Sequence, residues 1–199
     1  MKLHVLDDVA WQEWRRTYSE HFPSAFGRVD TSTDDAPKVA LPQPGEIVAA
    51  IAPRGWGPNA WLADERTQTH LPRRFVLVGT TVDEGRIWDV LRAVAAVRET
   101  IGRDARLTIS GRGPAAAIAL YSGLFASDVS DFELIDLAAD PHQGPVLIGI
   151  QQVLAMPEAV ALAFPRVVEL HSGEPAAWDW PREVAQLYGE PAPLRLARE

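Results

Sequence analysis

The chain has no cysteine. Disulfide staples, thiolate catalysis and zinc–cysteine sites are excluded with it. Lysine is nearly absent too, with Lys2 and Lys38 the two examples. Positive charge is short overall: 19 Lys and Arg stand against 27 Asp and Glu, for a formal net charge of −8. Contact with nucleic-acid phosphates needs clustered cations, so a general nucleic-acid binder is disfavoured. No apolar run approaches a membrane span, and the opening MKLHVLDDVAWQEW lacks the apolar centre of a signal peptide. The default expectation is a soluble cytoplasmic protein with neither a nucleic-acid nor a membrane partner. The five histidines, His4, His21, His70, His142 and His171, make no metal-binding spacing such as H-E-x-x-H. No metal and no cofactor are expected.

Core material is present. The chain is 47% hydrophobic over 199 residues, enough for one domain with or without an arm. Residues 1–45 read as an N-terminal helical arm and a Pro-rich linker. Trp11, Trp14, Tyr18 and Phe22 recur at helical spacing, and VDTSTDDAPKVALPQPG is polar and rich in turn-formers. Residues 46–199 read as the main domain. EIVAAIAP is a buried strand, and residues 54–74 a long loop with two Trp. FVLVG is ambiguous between a strand and a helix start. Residues 83–102 form the clearest helix, with an apolar stripe from Ile87, Val90, Leu91, Val94, Val97 and Ile101. RLTIS, FELIDL and RVVELHSG are strands. Residues 114–126, QQVLAMPEAVALAF (broken at Pro157) and PREVAQLYG are helices. Strands that are continuous apolar runs and alternate with helices predict an α/β fold, a three-layer αβα sandwich with a mostly parallel sheet.

The central segment RLTISGRGPAAAIALYSG places a glycine turn between strand and helix. One reading is a dinucleotide fingerprint: Gly111, Gly113 and Ala116 fit G-x-G-x-x-G/A, and Asp136 ends the next strand, where a ribose hydroxyl is held. Its mid-chain position and the single convincing strand after Asp136 count against it. The other reading is a nucleophile elbow, which needs small residues two before and two after the nucleophile. Gly111 and Ala115 satisfy this, but Gly113 stands where the nucleophile belongs. A slip to Ser110 fails, because Thr108 and Arg112 would then flank it.

These segments resemble the α/β-hydrolase superfamily, in particular its acetyl-xylan-esterase-like and acyl-peptidase-like branch. IVAAIAPRGWGPNAW is similar to the strand and oxyanion loop of that branch, RLTISGRGPAAAIALYSGLF to its elbow and helix, and VLAMPEAVALAFPRVVEL to the segment leading to the catalytic acid. The resemblance spans residues 46–180 and lacks the first strands, which suggests the C-terminal part of a longer polypeptide. It implies a Ser–acid–His triad in chain order. Here Ser is replaced by Gly113, the acid would be Glu174 or Asp179, and no His follows His171. The expectation is a degenerate hydrolase, a pseudo-esterase acting as a structural or binding module, with a protein partner, the rest of a larger polypeptide or a second copy. Two alternatives stay open: a hydrolase with an unrecognised nucleophile such as Ser172, and a nucleotide binder using Gly111, Gly113 and Asp136.

Binding candidates each carry a plainer reading. Arg54, Gly55 and Gly57 could aim backbone N–H groups at an anion, or form a glycine turn beside an Arg54 ion pair. Arg112 could hold an anion beside a helix N-terminus, or face solvent. His142 and His171 sit at the strand ends where ligands bind in open α/β sheets, or are ordinary loop histidines. Trp56, Trp61, Trp88, Trp178 and Trp180 could form a sugar platform. The default is packing, with Trp88 in the core and Trp178 and Trp180 on one side of an extended segment.

Overall fold

A computed structural model describes residues 1–21, 46–61, 65–189 and 191–197. Six parallel strands form one sheet in the order β2-β1-β3-β4-β5-β6. In chain order the main elements are β1 (Lys2–Val5), α1 (Asp8–His21), β2 (Val48–Ile51), α2 (Glu65–Leu77), α3 (Val82–Ile101) and β3 (Thr108–Arg112). Then follow α4 (Pro114–Phe125), β4 (Asp131–Ile135), α5 (Met156–Leu162), β5 (Val167–His171), α6 (Asp179–Gln186) and β6 (Leu194–Ala197).

Right-handed crossovers fix the layers. The step from β1 to β2 runs one way across the sheet and carries α1 to one face. All later steps run the other way and carry α3 to α6 to the opposite face. The result is the expected α/β layering. The face under α3 and α4 is the core, built from Leu3, Val5, Ile109, Phe132, Leu134, Val168 and Leu170. Nearly all of α4 is buried, from Ala115 to Gly123, which its run of small and aliphatic residues permits. Each such Leu or Ile contributes roughly 1.5–3 kcal/mol of burial.

The other face alternates to polar residues, as the period of two demands. Lys2 and His4 project there beside Ser110 and Glu133. Lys2 Nζ lies 2.9 Å from Glu133 Oε1, and Ser110 Oγ donates to Glu133 Oε2 at 2.6 Å. Burial alone would raise the Glu133 pKa, but the bonds from Ser110 and Lys2 outweigh it and hold the carboxyl below its usual range. Burial, with Lys2 nearby, pushes the His4 pKa down.

Several elements differ from the sequence reading. Lys2–Val5, read as part of an arm, is a strand between β2 and β3. Its four residues are too few to show a period beside the strong helical stripe that follows. The helix of the arm is there as α1, with Trp11 stacked on Trp14 at 6.1 Å. The Pro-rich linker, Phe22 and the Tyr18 side chain lie outside the described residues. The long loop over 54–74 is in part helix α2, which carries Pro72 in its interior. FVLVG is neither a strand nor a helix start, since Phe75–Leu77 close that helix. Pro157 opens α5 at its first turn, where proline's missing N–H costs nothing, so it starts a helix and does not break one. After Asp136 there are two strands, not one, because β6 was not foreseen. Trp88 is not core but 59% exposed. Trp178 and Trp180 lie in a helical segment, one buried and one half exposed.

Candidate functional site

The carboxyl edge of the sheet is where the chain's chemistry gathers. β3 ends at Arg112, turns at Gly113 and enters α4 at Pro114. Gly113 has φ 55° and ψ −125°, a region that side chains adopt only under strain. At Gly111 the restriction is space. A Cβ there would lie 2.4 Å from the Ala115 carbonyl oxygen and 2.8 Å from Ala116 N. A Cβ at Gly113 would meet nothing within 4 Å. This is the frame of a nucleophile elbow, in which residue 113 points away from the protein. The residue carries no side chain.

A second departure follows immediately. In the elbow arrangement, the residue after the nucleophile donates its backbone N–H to the oxyanion. That residue is Pro114, which has no N–H. The sequence displays this proline openly, but reasoning from the nucleophile position alone passes over it. Two other turn donors are used internally: Gly113 N–H bonds Ile135 O at 2.8 Å, and Ala116 N–H bonds Gly113 O at 3.1 Å.

The strand register sets Arg112, Ile135 and His171 in one row. Beyond that row, Arg112 Nε lies 3.4 Å from Asp136 Oδ2. Asp136 has φ 52° and donates its N–H to His171 O at 2.9 Å. The structure therefore brings Gly113, Arg112, Asp136 and His171 together. His171 Nε2 is 3.2 Å from Glu169 Oε1. Ser172 Oγ accepts from Glu174 N–H and from Trp178 Nε1, both at 3.1 Å, so it anchors a buried Trp. Glu174 is exposed, and Asp179 opens α6 in an exposed pair with Arg182 at 2.6 Å. His142 is exposed in a short helical turn and bonds Asp140 through its backbone.

Arg54, Gly55 and Gly57 form a separate group after β2. Arg54 clamps Asp89 with Nε–Oδ2 2.8 Å and Nη2–Oδ1 2.6 Å, and its own N–H bonds Oδ2 at 3.0 Å. Burial works against the charged Asp89, but these bonds win and its pKa lies below the usual value. The bond to Asp89 raises that of Arg54. Gly55 N–H goes to Asn59 O, Trp56 N–H to Pro53 O, and Gly57 N–H to Asp8 Oδ1 at 2.6 Å. Every N–H from Arg54 to Gly57 is thus taken by the protein itself. Beside this loop a pocket of about 510 Å³ opens toward α2 and the start of α3. Asp8, Asp83 and Arg86 supply its charges, and the elbow residues do not line it. Sequence reasoning missed Asp8 and Arg86. Nothing in their local pattern sets them apart, and only the fold brings residues 8, 56 and 86 to one place.

An all-parallel α/β sheet with an elbow-shaped turn at its centre defines the class, an α/β fold of hydrolase-like form. The chain is similar to the crystal structure of a candidate acetyl xylan esterase from Bacteroides fragilis NCTC 9343, with a TM-score of 0.60 and 17% identity. The match covers 78% of this chain and 47% of that one, so this chain spans about half of that protein's length. At this identity the likeness shows the fold. No family model matches the sequence, and no curated protein matches it. Among the described residues no group of acidic or His side chains could hold a metal, and no helix is long and apolar enough to cross a membrane.

Proposed function

We propose that this chain is a non-catalytic, hydrolase-like module that acts by binding. The observation that carries the reading is the pair Gly113–Pro114 at the elbow. One residue removes the nucleophile and the next removes an oxyanion donor, so two independent parts of acyl-transfer chemistry are lost at adjacent positions. The paired N–H groups of residues 54–57 support the same reading, because that loop holds out no free donor either. The binding partner is a protein, the remainder of a larger polypeptide or a second copy, or a small molecule.

Ester hydrolysis tests this. The wild-type chain is expected to hydrolyse p-nitrophenyl acetate no faster than buffer and to resist a fluorophosphonate probe. Gly113→Ser alone is expected to stay inactive, since Pro114 still withholds its donor. Turnover by the wild type at an enzymatic rate, or covalent labelling of Ser172, would overturn the proposal.

The nucleotide alternative keeps one supporting observation: Gly111, Gly113 and Ala116 do span a strand-to-helix turn, with Asp136 directly after the next strand. Against it, Asp136 already pairs with Arg112, and α4 begins without an N–H at Pro114. Tight NADH binding that Asp136→Ala weakens would favour the alternative.

A further inference from the structure

The pocket beside the β2 loop has the size of a small-molecule site, about 510 Å³ against roughly 300–1,000 Å³ for such sites in general. Its walls are apolar and come from separate elements: Trp56 and Trp61 from the loop, Pro72 and Val76 from α2, Val82 from α3, and Val146 from the segment after β4. Trp61 is braced by Phe75, with ring centroids 6.1 Å apart. Exposed Val76 and Val146 extend the apolar surface to the mouth.

The charges decide what else a ligand must carry. Arg86 is committed on three sides. Its Nη1 bonds Asp83 at 2.7 Å, its Nε bonds Arg54 O at 3.1 Å, and its guanidinium lies over Trp56 at 4.0 Å. Asp83 in turn neutralises Arg86 and accepts Val146 N–H at 2.8 Å. Asp8 differs. One of its oxygens takes Gly57 N–H, the side chain is exposed, and among the described residues no cation pairs with it. The pocket therefore presents one uncompensated carboxylate beside an apolar chamber, in a protein of net charge −8.

We propose that this pocket binds a small molecule with an apolar ring or chain and a protonated amine, the amine held by Asp8. The proposal rests on reading the chain as a binding module. It names the ligand class that such a module would take, at a place the elbow does not reach.

The test uses two probes with the same phenyl body and opposite heads, 4-phenylbutylamine and 4-phenylbutyrate, titrated into the full chain by calorimetry at low salt. The amine is expected to bind about tenfold tighter than the carboxylate, since at one exposed carboxylate the first gains an attraction and the second meets a repulsion. Asp8→Asn keeps the acceptor for Gly57 N–H and removes the charge. It is expected to bring the two probes within about threefold of each other. Ala60→Trp, a change at an exposed lining residue, is expected to abolish binding of the amine by filling the chamber. The proposal falls if neither probe binds at millimolar concentration, if the carboxylate binds as tightly as the amine, or if amine binding survives both substitutions. Neither probe is an ester. A failure here leaves the ester assay to judge the non-catalytic reading by itself, and ester turnover would sink that reading whatever the amine does.

Discussion

Gly111 and Gly113 lie two residues apart and should fail for opposite reasons when replaced by alanine. At Gly111 the backbone angles suit any residue, but the new Cβ would lie 2.4 Å from Ala115 O and 2.6 Å from Ala115 C. Those are backbone atoms at the start of a buried helix, so no side chain can swing aside. The start of α4 must move by several tenths of an ångström against a close-packed core. Overpacking costs about 1–3 kcal/mol when side chains can adjust, and this site belongs at or above the upper end, near 3 kcal/mol. For a domain of this size that lowers Tm by roughly 6–12 °C. At Gly113 the Cβ enters open space, and only the φ of 55° is unfavourable, a strain of about 1–3 kcal/mol. Urea unfolding of the two variants beside the wild type gives the comparison. A Gly111→Ala variant within about 0.5 kcal/mol of the wild type would refute the close-approach argument.

Other expectations concern the ion pairs. Asp89→Ala leaves Arg54 without its clamp and without an acceptor for its N–H. Both partners are partly exposed, so the loss should be about 1–2 kcal/mol by urea unfolding at pH 7. Because the folded Asp89 pKa lies below its ordinary value of 3.8, its contribution is present above that pH and lost as pH falls. The wild type and Asp89→Ala should therefore converge on acidification, and parallel curves would contradict this. Glu133→Gln should cost about 1–3 kcal/mol at pH 7, since a neutral amide cannot serve Lys2 and Ser110 equally. Glu133 is likewise depressed below its ordinary 4.5, so part of the wild-type stability lost below that pH should be missing from the variant's titration. An unchanged acid limb would remove Glu133 from the account.

The parallel sheet was legible because its core strands are short apolar runs set between helices with clear stripes. Helix α3 was legible in detail: Asp83 and Glu84 mark its start, and Thr81 with Glu84 closes a capping box there. β1 and β6 escaped because four residues cannot show a period, and their strand character comes from neighbours distant in sequence. Helix α2 was obscured by Pro72, which lowers helix propensity without preventing the helix. At the candidate site, the small residues of the elbow were readable from spacing. The occupation of the loop donors was not, because Asp8 meets Gly57, and Asp89 meets Arg54, only after β1, β2 and α3 have docked.

The order of the strands gives the Gly113–Pro114 turn and the charge of the pocket a common physical setting. The chain leaves β1 in one direction and β2 in the other, so β1 marks the point where the sheet's order reverses. At such a point the helices on either side diverge and a crevice opens above the strand ends. In anion-binding α/β proteins, free N–H groups at helix N-termini face this crevice. Here neither N-terminus is built to favour an anion. Helix α1 begins with the carboxylate of Asp8, and Asp7 just before it caps Ala10 N–H at 2.9 Å. Helix α4 begins with Pro114, which has no N–H to offer. A phosphate, a pyrophosphate or a developing oxyanion would meet negative charge on one side and a missing donor on the other. What these two features leave favourable at this edge is positive charge carried on an apolar body, the ligand that Asp8 and the tryptophan-lined chamber are matched to hold.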